Sequence, residues 1–358
     1  MQRQLSLGKS EDAVSPVIGT VLILAIMITI TGTMLAWGIP QIQESEAYAI
    51  YTSAQNNLLN FDADMDHVIL QGEGASRTST VSFSSGTFVQ RENLEEIRYY
   101  YTTVPWSDPK IVGAKVGSTS FGILDREDVV ENYRITIDYP NGTEWTGSSS
   151  FYDVSGFPEL VYGVKATYTS TTNDTQIGGF NIYGTDALSY RYASVSGVFK
   201  MRMFNGGICT KEPGSVFYMS SNPLVRTVLD SDSYDALTIY QTNYTLSSTS
   251  KFSALSAGNF IFDARNQGVP EGSADESLDV YSVRIGITGE SSRAIKSYYI
   301  NNLDFSADND NFFTTSESIV LTSKYGMNNA EEDVKLSQAS PFKFRILERE
   351  INVSFDLR

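Results

Sequence analysis

The stretch Val17-Ile-Gly-Thr-Val-Leu-Ile-Leu-Ala-Ile-Met-Ile-Thr-Ile-Thr-Gly-Thr-Met-Leu-Ala-Trp-Gly-Ile39 decides how the rest of the chain is read. It lies inside Ala13 to Gln43, 31 positions without a charged residue. About 20 apolar residues cross the hydrocarbon of a bilayer, and a core helix of such length in a soluble protein keeps a polar face. The run therefore predicts a membrane-crossing helix. It is longer than the ~7–15 apolar residues of a cleavable secretory signal. Arg3 and Lys9 precede it, whereas Glu44, Glu46, Asp62, Asp64 and Asp66 all come before Arg77, the first basic residue after it. Flanking positive charge stays in the cytoplasm, so the chain beyond Pro40 is predicted to lie outside the cell.

The 358 residues carry 26 Lys and Arg against 42 Asp and Glu, a net charge of −16. The leader before the apolar run holds two charges of each sign (Arg3, Lys9, Glu11, Asp12), so the whole excess belongs to the exterior part. Such acidity lacks the basic footprint of a nucleic-acid binder. With one Cys and one His, an intrachain disulfide, a Cys-rich zinc site and a multi-His metal centre are excluded. Any serine or cysteine triad would have to use His67 as its base. No GxSxG, P-loop, HExxH or GxGxxG motif is present. The expectation is a non-enzymatic protein without a cofactor.

Beyond Pro40 the helical period continues through Ala47, Ile50 or Tyr51, Ala54, Leu58, Phe61 and Met65. A helix from Val14 to Asp66 would hold 53 residues, roughly 80 Å at 1.5 Å each, with a kink at Gly38 and Pro40. From His67 the period changes to two, in runs such as Ile97–Thr102, Tyr133–Tyr139, Gly197–Phe204, Val280–Ile287, Ser318–Thr322, Phe342–Leu347 and Ile351–Arg358. β-branched and aromatic residues separated by polar turns predict antiparallel sheets, and Pro140-Asn-Gly142 predicts a hairpin turn. The fold class is therefore α+β: a long N-terminal apolar helix followed by a large antiparallel, sandwich-like region. A sandwich takes about 100 residues, so 67–195 is set down as one β-rich lobe and 196–358 as a second lobe or a continuation of the same sandwich. Leu237–Tyr240 reads as a short strand; around it, the polar stretch Leu229 to Ser256 reads as loop or partly helical.

The string Glu11-Asp12-Ala13-Val14-Ser15-Pro16-Val17-Ile18-Gly19-Thr20, followed by an unbroken apolar helix, resembles the N-terminus of archaeal type IV pilins and pilin-like proteins. The resemblance covers roughly residues 11 to 40. It implies that 1–13 is a leader (a class III signal peptide), removed by a prepilin peptidase between Ala13 and Val14, with Asp12 as the preceding charged residue. It further implies that Ser15, Pro16, Val17, Ile18 and Gly19 open an assembly helix, and that the helix packs with other pilin subunits in a helical homo- or hetero-polymer. Ile18 stands where bacterial pilins carry Glu, as in the archaeal branch. In the processed chain Ser15 suits the N-cap and Pro16 the first helical position.

The implied function is that of a pilin or minor pilin-like subunit of a surface filament, with the helix in the core and the β-region exposed for adhesion. A monomeric, membrane-anchored extracellular binding or envelope protein is the alternative; a glycan hydrolase using acidic residues of 304–310 is a remote one. Asp62, Asp64 and Asp66, with Glu73, are spaced like the start of a calcium loop but lack its glycine, and read as solvated carboxylates. Asp304, Asp308 and Asp310 with Asn309 and Asn311 form a second acidic turn. His67 reads as a surface residue and Cys209 as a small apolar packing group. Asn141, Asn173, Asn243 and Asn352 head N-x-S/T triplets, candidate glycan sites in an exterior protein.

Overall fold

The computed structural model describes residues 11–105, 110–111, 124–125, 133–149, 161–230, 233–270, 275–303, 305–308 and 332–358. Its first element is one helix, α1 (Glu11–Gln71), roughly 90 Å long at 1.5 Å per residue. It runs unbroken through Gly38 and Pro40 and ends five residues beyond the expected Asp66. Its threonines return their hydroxyls to the helix: Thr20, Thr29 and Thr33 donate to the carbonyls of Val17, Ala25 and Thr29 at 2.9, 2.8 and 2.7 Å. They therefore present no unpaired donor to apolar surroundings. Gly72 and Gly74, at φ of 87° and 81°, turn the chain out of the helix in a conformation that glycine adopts without a Cβ clash.

The strands follow: β1 (Ser76–Phe83), β2 (Thr87–Thr102), β3 (Lys110–Ile111), β4 (Leu124–Asp125), β5 (Tyr133–Asp138), β6 (Glu144–Ser149), β7 (Lys165–Ser170), β8 (Gln176–Ser194) and β9 (Gly197–Phe204). Next come β10 (Gly207–Lys211), β11 (Tyr218–Ser221), β12 (Val225–Asp230), β13 (Ser233–Leu246), β14 (Ala254–Leu255), β15 (Gly258–Gly268) and β16 (Glu276–Thr288). A second helix, α2 (Ser292–Leu303), precedes β17 (Ser306–Asp308) and β18 (Glu332–Leu357).

Sixteen of these strands form one branched sheet, whose longest path runs β1-β15-β18-β16-β2-β8-β7-β5-β6. The pairings are antiparallel except for β13, which lies parallel to β18 from Ala236↔Lys343 to Leu246↔Val353. Long strands change partners along their length. β18 pairs β16 over Glu332–Ile346 and β15 over Glu350–Leu357. β8 pairs β7 near its start and β9 near its end. The predicted hairpin at Pro140-Asn-Gly142 joins β5 to β6.

The core has three clusters. In the first, the buried stripe Ala47, Tyr51, Ala54, Leu58, Phe61, Met65, Val68 and Ile69 of α1 packs on inward residues of β1, β2, β8, β9, β13, β15 and β18. Tyr51, not Ile50, is the inward member of its turn. The second cluster lies between α2 and β2, β13, β16 and β18, and the third joins Tyr100 to β5, β7 and β8. Each strand alternates faces: in β9, Phe199, Met201 and Met203 are buried while Lys200 points out.

Two features differ from the sequence expectation. Leu229–Ser256 is loop over 247–253, but it also contains the end of β12, all of β13, in which the expected strand Leu237–Tyr240 lies, and β14. Helix α2 was not foreseen. The position near 195 lies in the tight β8–β9 hairpin, Ser194↔Gly197, inside the one large sheet. The predicted strand Ser318–Thr322 lies outside the described residues.

Candidate functional site on the exposed apolar helix

The two halves of α1 have opposite surroundings. From Val17 to Ile42 every large apolar side chain is exposed, including Leu22 at 56%, Ile28 at 64% and Trp37 at 74%. From Ala47 on, one face is buried under the β-region. The change coincides with the first charges after the run, Glu44 and Glu46. Fifteen large apolar side chains are bare in the first half; at about 1.5–3 kcal/mol each, holding them in water would cost on the order of tens of kcal/mol. The helix is long and apolar enough to cross a membrane, and none of its most apolar window is buried by its own chain.

Of the residues singled out at its start, Val17 and Ile18 are exposed. Gly19, Gly32 and Gly38 have open space where a Cβ would stand. Ser15 and Pro16 lie within α1, whose first described residue is Glu11. Asp12, Ala13, Val14, Ser15 and Pro16 are helical in backbone; their side chains lie outside the described residues, as do residues 1–10.

The acidic trio at the far end of α1 is split by the helix period. Asp64 faces outward and is bonded to Arg77 at 2.5 Å and to Ser79 at 2.5 Å. Asp62 is 2% exposed, and one of its oxygens has no hydrogen-bond partner, as is true of the neighbouring Asp66 and of the Tyr244 hydroxyl. Burial pushes the Asp62 carboxyl from 3.8 up to about 7, with Asp66 adding to the rise against a Ser221 hydrogen bond. Burial alone takes Asp66 to about 6. Asp62 is therefore not the solvated carboxylate expected of it: it lies on the same face as Leu58 and Met65. His67 is exposed. Cys209 is buried with its Sγ 3.1 Å from Met219 Sδ, and burial pushes its thiol well up.

Sequence reasoning missed a set of buried ion pairs. Arg202 reaches Glu95 at 2.5 Å and Glu290 at 2.7 Å, with Glu95 0% exposed. Lys165 bridges Glu276 at 3.1 Å and Glu348 at 3.0 Å, and the Tyr183 hydroxyl donates to Glu348 at 2.9 Å. Arg98 pairs with Glu96 inside the sheet. The available signal was weak: Glu95-Glu96-Ile97-Arg98 places charges on both faces of a strand, which requires at least one of them to be buried.

The four sequons fall in two settings. Asn141 and Asn173 are exposed in turns, and each Oδ1 accepts from the backbone N–H and hydroxyl of the Thr two residues on. Asn243 and Asn352 are half-buried within the paired strands β13 and β18. The acidic turn at Asp304, Asn309, Asp310 and Asn311 lies outside the described residues, as does the side chain of Asp308. Among the described residues no three His, Cys, Asp or Glu side chains are grouped to hold a metal. No family model, curated protein or solved structure matches the chain.

Proposed function

We propose that this chain is a structural subunit of an archaeal type IV pilus-like surface filament, with the exposed half of α1 in the filament core and the β-region facing outward for adhesion. The observation that carries the reading is a single uninterrupted helix, bare and uncharged over its first half and docked into the head over its second. A helix of this kind can pass from lipid into a bundle of like helices, exchanging one apolar environment for another. In this reading the partners are a prepilin peptidase, other pilin subunits and the membrane. The bulk of the protein lies at the cell surface.

Expression with a prepilin peptidase, followed by sequencing of the mature N-terminus, tests the reading. A start at Val14 is expected; an uncut Met1 chain, or surface filaments unchanged when the gene is deleted, would leave a monomeric membrane anchor instead. Leu24→Lys should cost about 3 kcal/mol of membrane insertion. It is read as loss of the protein from the membrane fraction, with exposed Ser53→Ala as an unaffected control.

In a host that glycosylates N-x-S/T sites, modification is expected on Asn141 and Asn173 and not on Asn243 or Asn352, because only the first two present an exposed amide outside a paired strand. Peptide mass spectrometry checks this, and a glycan on Asn243 would refute it.

A further inference from the structure

On the face of β2, β8 and β9 opposite the helix lies a groove of about 430 Å³. Its lining includes Arg91, Arg191, Lys200 and Arg202, interspersed with the hydroxyls of Thr87 and Ser189, and contains no acidic and no aromatic side chain. The strand registers explain the clustering. Arg191 stands opposite both Thr87 and Lys200, and Ser189 opposite Arg202. The alternate residues Phe88, Leu188, Tyr190, Phe199 and Met201 are buried in the core beneath. The groove therefore has a rigid floor.

Two of the four cations are internally compensated. Arg202 is tied to Glu95 and Glu290, and Lys200 to Glu290 at 3.0 Å. Arg91 and Arg191 are exposed, and among the described residues neither side chain has an ion-pair or hydrogen-bond partner. Like charges directly opposite across a ladder are destabilising, yet Arg191 faces Lys200. On a chain of net charge −16, this is a local concentration of positive charge at a cost to the sheet that an anion would remove.

We infer that this groove binds an acidic polysaccharide. Arg91 lies four residues along β2 from the Thr87–Arg191–Lys200 row, about 13 Å at ~3.3 Å per residue, so the cations form a line suited to an extended polyanion rather than a pocket converging on one small ion. An acidic peptide adding as a strand is disfavoured, because β2, β8 and β9 are each paired on both sides here. A single-stranded nucleic acid would need aromatic stacking surfaces, which the lining lacks. Guanidinium groups for carboxylates, with hydroxyls between them for sugar hydroxyls, match an acidic polysaccharide chain. The groove would bind whether the helix anchors one chain or packs into a filament.

The test is calorimetric titration of the full-length protein in neutral-detergent micelles with a decamer of polygalacturonate, at fixed ionic strength. Wild type is expected to bind and to weaken as salt is raised. R91Q/R191Q should bind about tenfold or more weakly with an unfolding midpoint no lower than that of wild type, whereas R91K/R191K should retain most of the affinity. The inference is overturned if the wild type gives no heat, if R91Q/R191Q binds as wild type, if a neutral glucan decamer binds equally, or if deca-glutamate binds as tightly as the uronate.

Discussion

Replacing Phe61 with alanine is expected to remove about 3–5 kcal/mol of unfolding free energy, the usual cost of deleting a fully buried ring. Phe61 is 1% exposed and meets Phe262 edge-on at 5.1 Å between ring centroids. Phe262 in turn contacts Phe83, Phe88 and Phe355. Rings from four strands thus meet at Phe262, and Phe61 carries the helix onto that aromatic cluster. The loss should be local as well as global: amide exchange in Leu58–Ile69 should accelerate most, because Phe61 lies in the middle of the buried stripe by which this segment docks. The measurement is urea unfolding of the full chain in neutral detergent. Asn60→Ala, exposed on the opposite face, should stay within about 0.5 kcal/mol of wild type. Equal midpoints for the Phe61 and Asn60 variants would refute the docked stalk.

Acid should stabilise the junction of helix and head. Asp62 has a folded-state carboxyl raised from 3.8 to about 7 by burial, facing Asp66, Ser221 and Tyr244. Below pH 3.8 it is protonated in both states and its contribution is fully present. Between 3.8 and about 7 the unfolded chain ionises while the folded one keeps its proton, so stability falls as pH rises. Above 7 the penalty is complete, about 4 kcal/mol for roughly three pH units. Asp66 acts in the same direction, reduced by its partial exposure. Asp62→Asn keeps the shape and removes the titration. The difference in unfolding free energy between variant and wild type should therefore be small near pH 4 and favour the variant by several kcal/mol at pH 8. Other groups cancel in that difference; parallel curves for the two proteins would rule the mechanism out.

The helix stripe was legible because it depends on period alone: Ala47, Ala54, Leu58, Phe61 and Met65 are one face of a helix whatever covers it. The α+β class was legible for the same reason, from a period of two beyond the helix. What failed was whatever depended on distant partners. In β13 the polar residues Gln241 and Thr242 are buried, and Asn205, more than 30 positions away, hydrogen-bonds to both; read locally, they look like loop. Helix α2 carries its buried face on Ala294, Ile295, Tyr298, Tyr299 and Leu303, a helical spacing whose adjacent tyrosines also read as strand. The pairing of Arg202 with Glu95 spans 107 residues, and the gathering of Arg91, Arg191 and Lys200 follows from registers that no local pattern encodes. Asp62 was misread because carboxylates at the end of an amphipathic helix are ordinarily solvated, and only the sheet decides which of three alternating aspartates is covered.

The continuity of α1 also sets how the molecule bears load. A pull on its bare half is delivered through one continuous helix to the docked half. The buried side chains from Ala47 to Ile69 are then loaded together, in shear, instead of being peeled away one at a time. Resistance to such a pull is set by the rate of unfolding rather than by equilibrium stability. The contact between stalk and head is therefore a mechanical coupling, and Tyr51, Leu58, Phe61 and Met65 share the tension it carries.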